Sequence, residues 1–425
     1  MHDDQTPEAA AHAGLAHVAT ASFVASRVVP TGGYAVALAG GVALARAGQV
    51  AGARIGYGAS IAAMLQAIAV LGPSRVSVPL TQALSAPLLG RMHARGTRLA
   101  AQIGACAAIR ATDQLVFTLF YIGIIVGGIE AYAATYDAVA GRIPGVPDGT
   151  VAAIGATALA LVAWTAFASV VQVLVYRGAL RGWPRERDQE HAPPPGAGDA
   201  GAHGADPELP RPPRAHPRYD PRAVALAAVL AFCVLVSTTA WLVLGAVALW
   251  LVGAWATARA DPAPVRAGLA LAAMLAGGAL VFGLVGGVGL ELTLRRTVRA
   301  ALLVLVATWL RAAAGEAGMR EVGRRSLRVA RRLPATTEAS QILDRLGAGG
   351  ALGASARTLV ARVRDVQRRP APLAAAVLQW VAREAARFEH APPPAPAPEA
   401  LRAAWRDRVL VAGMIAAVAG AVVAG

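Results

Sequence analysis

The chain has 425 residues, 56% of them hydrophobic and 15% charged, with a mean hydropathy of +0.51. A soluble domain ordinarily carries roughly a quarter charged residues, so a water-soluble enzyme is all but excluded and a polytopic, all-α membrane protein is expected. The net charge is +15, and with no lysine in the sequence all 40 basic side chains are arginine.

Asparagine is missing as well. Both absent residues use A-rich codons, a bias expected of a GC-rich bacterial genome, in which Ala-Arg-Gly triplets also arise by chance. At the N-terminus, Met1 to His17 lacks the basic start and short apolar core of a secretory signal. The spans themselves are therefore expected to target the chain to the plasma membrane.

A helix crossing about 30 Å of hydrocarbon needs about 20 apolar residues. Windows of that kind fall near 28–45, 55–72, 80–112 (interrupted), 114–134 and 150–175, and they define a first membrane module over 1–176 with four to five spans. Residues 177–221 hold Pro193-Pro194-Pro195 and further prolines from Pro210 to Pro217, with scattered glycines. Such a stretch has nothing to bury and reads as a disordered cytoplasmic linker. A second membrane module of about four spans follows over 222–314, in windows 223–239, 240–258, 267–289 and 293–314.

The uncharged run Ala223 to Ala258 would extend about 54 Å as one helix. Ser237-Thr238-Thr239 at its middle predicts a tight helical hairpin. Residues 315–405 differ in kind. Between Arg311 and Arg408 there are 18 arginines against 9 acidic residues, yet Leu359, Val363 and Val366, then Leu373, Val377 and Trp380, keep helical spacing. Amphipathic cytoplasmic helices are expected there, returned to the membrane by a last span over 406–425.

Arginines in short loops mark the cytoplasmic side. Arg46 with Arg54, then Arg91, Arg95 and Arg98, then Arg177, Arg181, Arg185 and Arg187, are three such groups. On that count Arg295, Arg296 and Arg299 face outward, and they either snorkel and pair with Glu291 or indicate a miscounted span.

Ionisable groups at membrane depth are costly and usually face a bundle interior or a wet cavity. Gln66, Arg110, Asp113, Gln114, Glu130 and Asp137 lie in or beside spans. Arg110 and Asp113, three apart on a helix, can form an internal ion pair; with Glu130 they are also the candidate intramembrane polar site. The histidines are scattered, Cys106 and Cys233 are far apart, and neither set has metal-ligand spacing. A P-loop needs a lysine after its glycines, so no directly bound ATP or other cofactor is expected. No nucleophile–base pair suggests an enzyme, and no nucleic-acid partner is expected.

The second half has a recognisable order. Tyr219-Asp220-Pro221-Arg222 precedes the hairpin and two further spans, and Leu294-Arg295-Arg296-Thr297-Val298-Arg299 opens the fourth. The arginine-rich stretch and a terminal span entered through Arg406-Asp407-Arg408 complete it. Over roughly 217–425 this resembles the transmembrane (T) component of energy-coupling factor (ECF) transporters.

The resemblance implies an integral membrane component of an ABC-type importer, coupling ATPase subunits to a substrate-binding membrane subunit, with the first half as a candidate for that subunit fused in cis. ATP would then act only through the partner ATPase subunits. In that family the coupling helices end in Ala-Arg-Gly or Ala-Arg-Ser, whose arginine meets acidic groups on the ATPase. Here the nearest counterparts by position are Asp344-Arg345-Leu346 and Ala386-Arg387-Phe388, so Arg345 and Arg387 are the candidate coupling residues, on altered triplets. Ala94-Arg95-Gly96 is intact but lies in the first half. The other reading is a non-transport membrane protein whose basic helices bind anionic lipid or a regulatory partner.

Overall fold

The computed structural model describes residues 11–27, 33–73, 77–184, 219–258, 262–287, 289–346, 350–366, 370–390 and 404–423. Among these the fold is all-α. In chain order the helices are α1 (Ala13–Ala25), α2 (Gly33–Val50), α3 (Gly52–Leu71), α4 (Ser77–Ala94), α5 (Leu99–Phe120, running into a π-helical turn Tyr121–Val126), α6 (Ile129–Ala140) and α7 (Thr150–Arg181). The second half supplies α8 (Pro221–Ser237), α9 (Trp241–Thr257), α10 (Pro262–Val285), α11 (Leu290–Val329), α12 (Thr336–Leu346), α13 (Gly350–Val366), α14 (Pro370–His390) and α15 (Trp405–Val423). Among the described residues four stretches are long and apolar enough to cross a membrane: Gly52–Leu71, Leu99–Val126, Thr150–Arg181 and Leu290–Val329.

Several local expectations meet the structure closely. The chain turns between Ser237 and Trp241, where Thr238 Oγ1 accepts a hydrogen bond from the Ala240 amide at 3.1 Å. The change of character near residue 315 is a kink. Gly315 adopts φ 69° and ψ 170° inside α11, a conformation open to glycine because it lacks a Cβ.

Two boundaries move. The division expected at residue 113, between the windows 80–112 and 114–134, is absent: the helices part at Arg95–Arg98, inside the window read as interrupted, and α5 runs unbroken past Asp113. Its polar side chains are satisfied sideways by other helices, so the helix has no reason to break there. The linker also begins later than Arg177, because α7 remains helical through Arg181, with Tyr176 and Leu180 buried. The Pro/Gly-rich part of the expected linker, Arg185 to Pro217, lies outside the described residues.

The apolar faces form two cores. The second joins α8, α9, α15 and the first part of α11, around a fully buried Trp309 that meets Trp250 edge-on at 5.1 Å. Trp250 Nε1 donates to the Leu410 carbonyl at 3.2 Å. Asp407 accepts from the backbone amides of Asp220 (2.8 Å) and Ala404 (2.6 Å), tying the start of α8 to the start of α15.

The first core takes in α1–α4 and α7, and also the buried faces of α12, α13 and α14. Its centre is α1, a 13-residue helix buried on nearly every side. Gly14 permits the close approach of α14: a Cβ there would lie 2.3 Å from the Ala385 carbonyl oxygen. The arginine-rich helices thus set their apolar residues, among them Ile342, Leu343, Leu359 and Val381, against the N-terminal half. Each such side chain contributes roughly 1.5–3 kcal/mol of burial. Arg311 links the cores, its Nε donating to the Val70 carbonyl at the end of α3 (3.1 Å).

Candidate functional site

Small residues along α2 and α4 let the first-half helices approach closely, and a line of polar side chains fills the seam that α2, α4, α5 and α7 share. Arg110, on α5, is buried to 3% exposure. It does not pair with Asp113. Its Nη2 donates to Gln172 Oε1 at 2.5 Å and to the Tyr34 hydroxyl at 3.3 Å.

Gln172 Nε2 in turn donates to Ser85 Oγ (2.7 Å), and Ser85 to the Thr81 carbonyl (2.6 Å). Thr81 Oγ1 donates to Asp113 Oδ2 (2.7 Å). Arginine and aspartate therefore lie on either side of Thr81, whose backbone carbonyl takes the contact from Ser85 and whose hydroxyl holds Asp113. The two residues are nearly a full turn apart on α5, yet each takes a partner on another helix, Arg110 on α7 and Asp113 on α4. Arg110 Nε, Tyr176 Oη and Ser169 Oγ remain buried without a hydrogen-bond partner. A guanidinium facing neutral amide and hydroxyl groups, with no carboxylate paired to it among the described residues, is an environment suited to an anionic or strongly hydrogen-bonding solute.

Glu130 does not join this cluster. It opens α6, exposed, on a separate helix beyond the π-helical turn and the Gly127-Gly128 break. Asp137 caps the next helix by accepting from the Gly149 amide at 2.7 Å, and Tyr132 meets Thr157 at 2.6 Å. Gln66 reaches across to Glu316 just past the kink of α11 (3.4 Å).

The helix ends that carry the two candidate coupling arginines meet. Arg345, in the last turn of α12, donates to the Glu389 carbonyl (3.4 Å), while Arg387, in the last turns of α14, approaches Glu384 at 3.5 Å with 63% of its side chain exposed. Beneath them is a buried chain that sequence reasoning missed. His17 of α1 stacks on Phe388 with ring centroids 4.2 Å apart and meets Ser355 Oγ at 2.9 Å, and Ser355 donates to Glu384 at 2.6 Å. Burial raises the neighbouring Glu389 carboxyl to about 7 and also pushes the Asp344 carboxyl above its ordinary value. A histidine in a short apolar run too brief to span was the one available hint of this contact.

The described members of the three arginine groups expected on the cytoplasmic side lie at the same end as α12–α14, while Arg185 and Arg187 lie outside the described residues. Arg54 bridges to Glu338 of α12 at 2.6 Å. Arg46 sits 5.2 Å over the Trp183 ring. Arg177 donates to the Thr97 carbonyl at 3.4 Å in the α4–α5 turn. At the far end of α11, Arg295 pairs with Glu291 as expected and lies 5.9 Å over Trp241.

Among the described residues no three His, Cys, Asp or Glu side chains gather into a metal site. No protein-family model matches the chain, and neither a curated protein nor a solved structure does.

Proposed function

We propose that this chain is an integral membrane component of an ECF-type importer in the bacterial plasma membrane, passing ATPase motion to a substrate-binding region supplied by its own first half. One observation carries the reading. The turn bearing Arg345 meets the end of α14 that carries Arg387, α14 being locked to the N-terminal bundle through Glu384, Ser355 and His17 and α12 through Arg54 and Glu338. Guanidinium groups hold their charge and bind carboxylates in bidentate fashion, which suits docking onto acidic groups of an ATPase subunit.

Force applied there has two routes into the membrane: through α1 into the first core, and through α11 across Gly315 into the second. The buried Arg110–Gln172–Ser85 relay is the candidate substrate region at the end of the first route. ATP would enter only through the partner subunits.

A lipid-binding role for the basic helices would use their apolar faces, and those faces are spent on α1 and α3. The geometry therefore favours a protein partner over the bilayer surface. The test is co-purification of the chain with ABC-type ATPase subunits encoded beside it. Arg345→Glu and Arg387→Glu should each abolish recovery of the ATPase. Recovery unchanged by both substitutions, or strong salt-sensitive binding of the wild-type chain to anionic vesicles with no ATPase recovered, would overturn the proposal.

A further inference from the structure

The end of α11 remote from the arginine-rich helices carries three arginines but one matching carboxylate. Glu291 pairs with Arg295. Arg296 and Arg299 find no carboxylate among the described residues, and Glu130, three residues beyond Gly127, pairs with neither.

Arg299 is buried to 5% exposure, and its Nη2 has no hydrogen-bond partner. It shares a helix face with Leu302, Leu303 and Val306, all part of the second core. The guanidinium of Arg296 lies against the backbone of Gly127, where the π-helical turn ends: a Cβ at that glycine would come within 2.8 Å of its Nε and Nη2. Residues three apart on a helix are neighbours, so two positive groups sit together with no carboxylate opposite them among the described residues. An uncompensated buried charge is strongly destabilising, and an unpaired arginine within a membrane segment marks a binding or transport position. The buried hydroxyls of Thr293 and Thr297 on the same turns also lack partners. All four residues can donate hydrogen bonds.

We infer that Arg296 and Arg299 form a binding site for an oxyanion, a phosphate or carboxylate group, held between the start of α11 and the glycine that closes the π-helical turn of α5. The bound group neutralises the pair and satisfies the orphaned donors. Roughly sixteen residues separate Arg299 from Gly315, about 24 Å along the helix at 1.5 Å per residue, so this site lies at the opposite end of the second bundle from the platform that Arg345 and Arg387 occupy. It is independent of whether an ATPase docks there.

The experiment uses the full-length chain in two settings. In an uncharged detergent inorganic phosphate is titrated, and in nanodiscs phosphatidylglycerol is compared with phosphatidylcholine, with thermal unfolding and native mass spectrometry as readouts. Either probe should stabilise the wild-type chain. Arg296→Gln and Arg299→Gln should each weaken that response roughly tenfold, the loss of one charge-assisted hydrogen bond, while Arg332→Gln on the platform leaves it unchanged. Without anion, Arg299→Gln should melt higher than wild type, because it removes an unpaired charge; a merely structural arginine would give a lower melting temperature. A response to phosphate assigns a soluble anion, and a response to phosphatidylglycerol alone assigns a lipid headgroup. No response of the wild type to either probe, or equal responses from wild type and both glutamine variants, overturns the site. Arg296→Gln, at a half-buried position, keeps the test decisive if Arg299→Gln does not fold.

Discussion

Replacing Gln172 with leucine removes the acceptor that lies 2.5 Å from Arg110 Nη2 and the donor that lies 2.7 Å from Ser85 Oγ. A hydrogen bond to a charged group contributes about 1.5–3 kcal/mol and a neutral one about 1 kcal/mol, so Gln172→Leu should destabilise the first bundle by about 2.5–4 kcal/mol. Arg110→Met in the same chain should return most of that loss. Replacing both members of a buried polar pair with apolar groups is close to neutral, whereas removing one leaves the other stranded. The coupling between the two changes should therefore be at least about 1.5 kcal/mol.

Cys106 provides the assay. It is fully buried one turn before Arg110, whereas Cys233 is exposed, so a thiol-reactive fluorophore in a Cys233→Ser background reports opening of this seam during a thermal ramp. A Gln172→Leu chain that melts with the wild type would refute the reasoning, as would a double variant that loses the full sum of the two single effects.

The platform gives a pH signature. Glu389 has a carboxyl raised to about 7 against an ordinary 4.5, so between those values the unfolded chain ionises it while the folded chain holds the proton. Stability should fall as pH rises from about 4.5 to about 7 and level off above, and Glu389→Gln should flatten that slope in a chemical-denaturation series; the side chain is partly exposed, which keeps the slope shallow. Asp407→Ala should lower the melting temperature through loss of the two backbone amides it accepts from, by about 1.5–3 kcal/mol for the buried Asp220 contact. Arg54→Ala should change stability by less than about 1 kcal/mol, since that arginine is 69% exposed in its pair with Glu338.

Much of the second half was legible from local pattern. The helix break at Ser237-Thr238-Thr239 and the pairing of Arg295 with Glu291 both depend on neighbours in sequence, and both are present. The first half was read less well for a related reason. Asp113 and Gln114 look like an interruption in an apolar run, but Thr81 supplies a partner for Asp113 from 32 positions away, so the helix continues. Helix α1 escaped notice because 13 apolar residues are too few to register against a spanning length of about 20.

Composition and apolar spacing were sufficient to determine that this chain is helical, rich in segments of spanning length and strongly cationic toward its C-terminal third. Tertiary structure alone decided which face met which. Arg110 turned to Gln172, 62 positions on, and not to Asp113 three away; His17 met Ser355 across 338 positions; Arg299 was buried with a donor left over. Periodicity reports which side of a helix is apolar, but the partner of a polar group depends on which helices pack beside it and at what height. That information exists only once the bundle has formed.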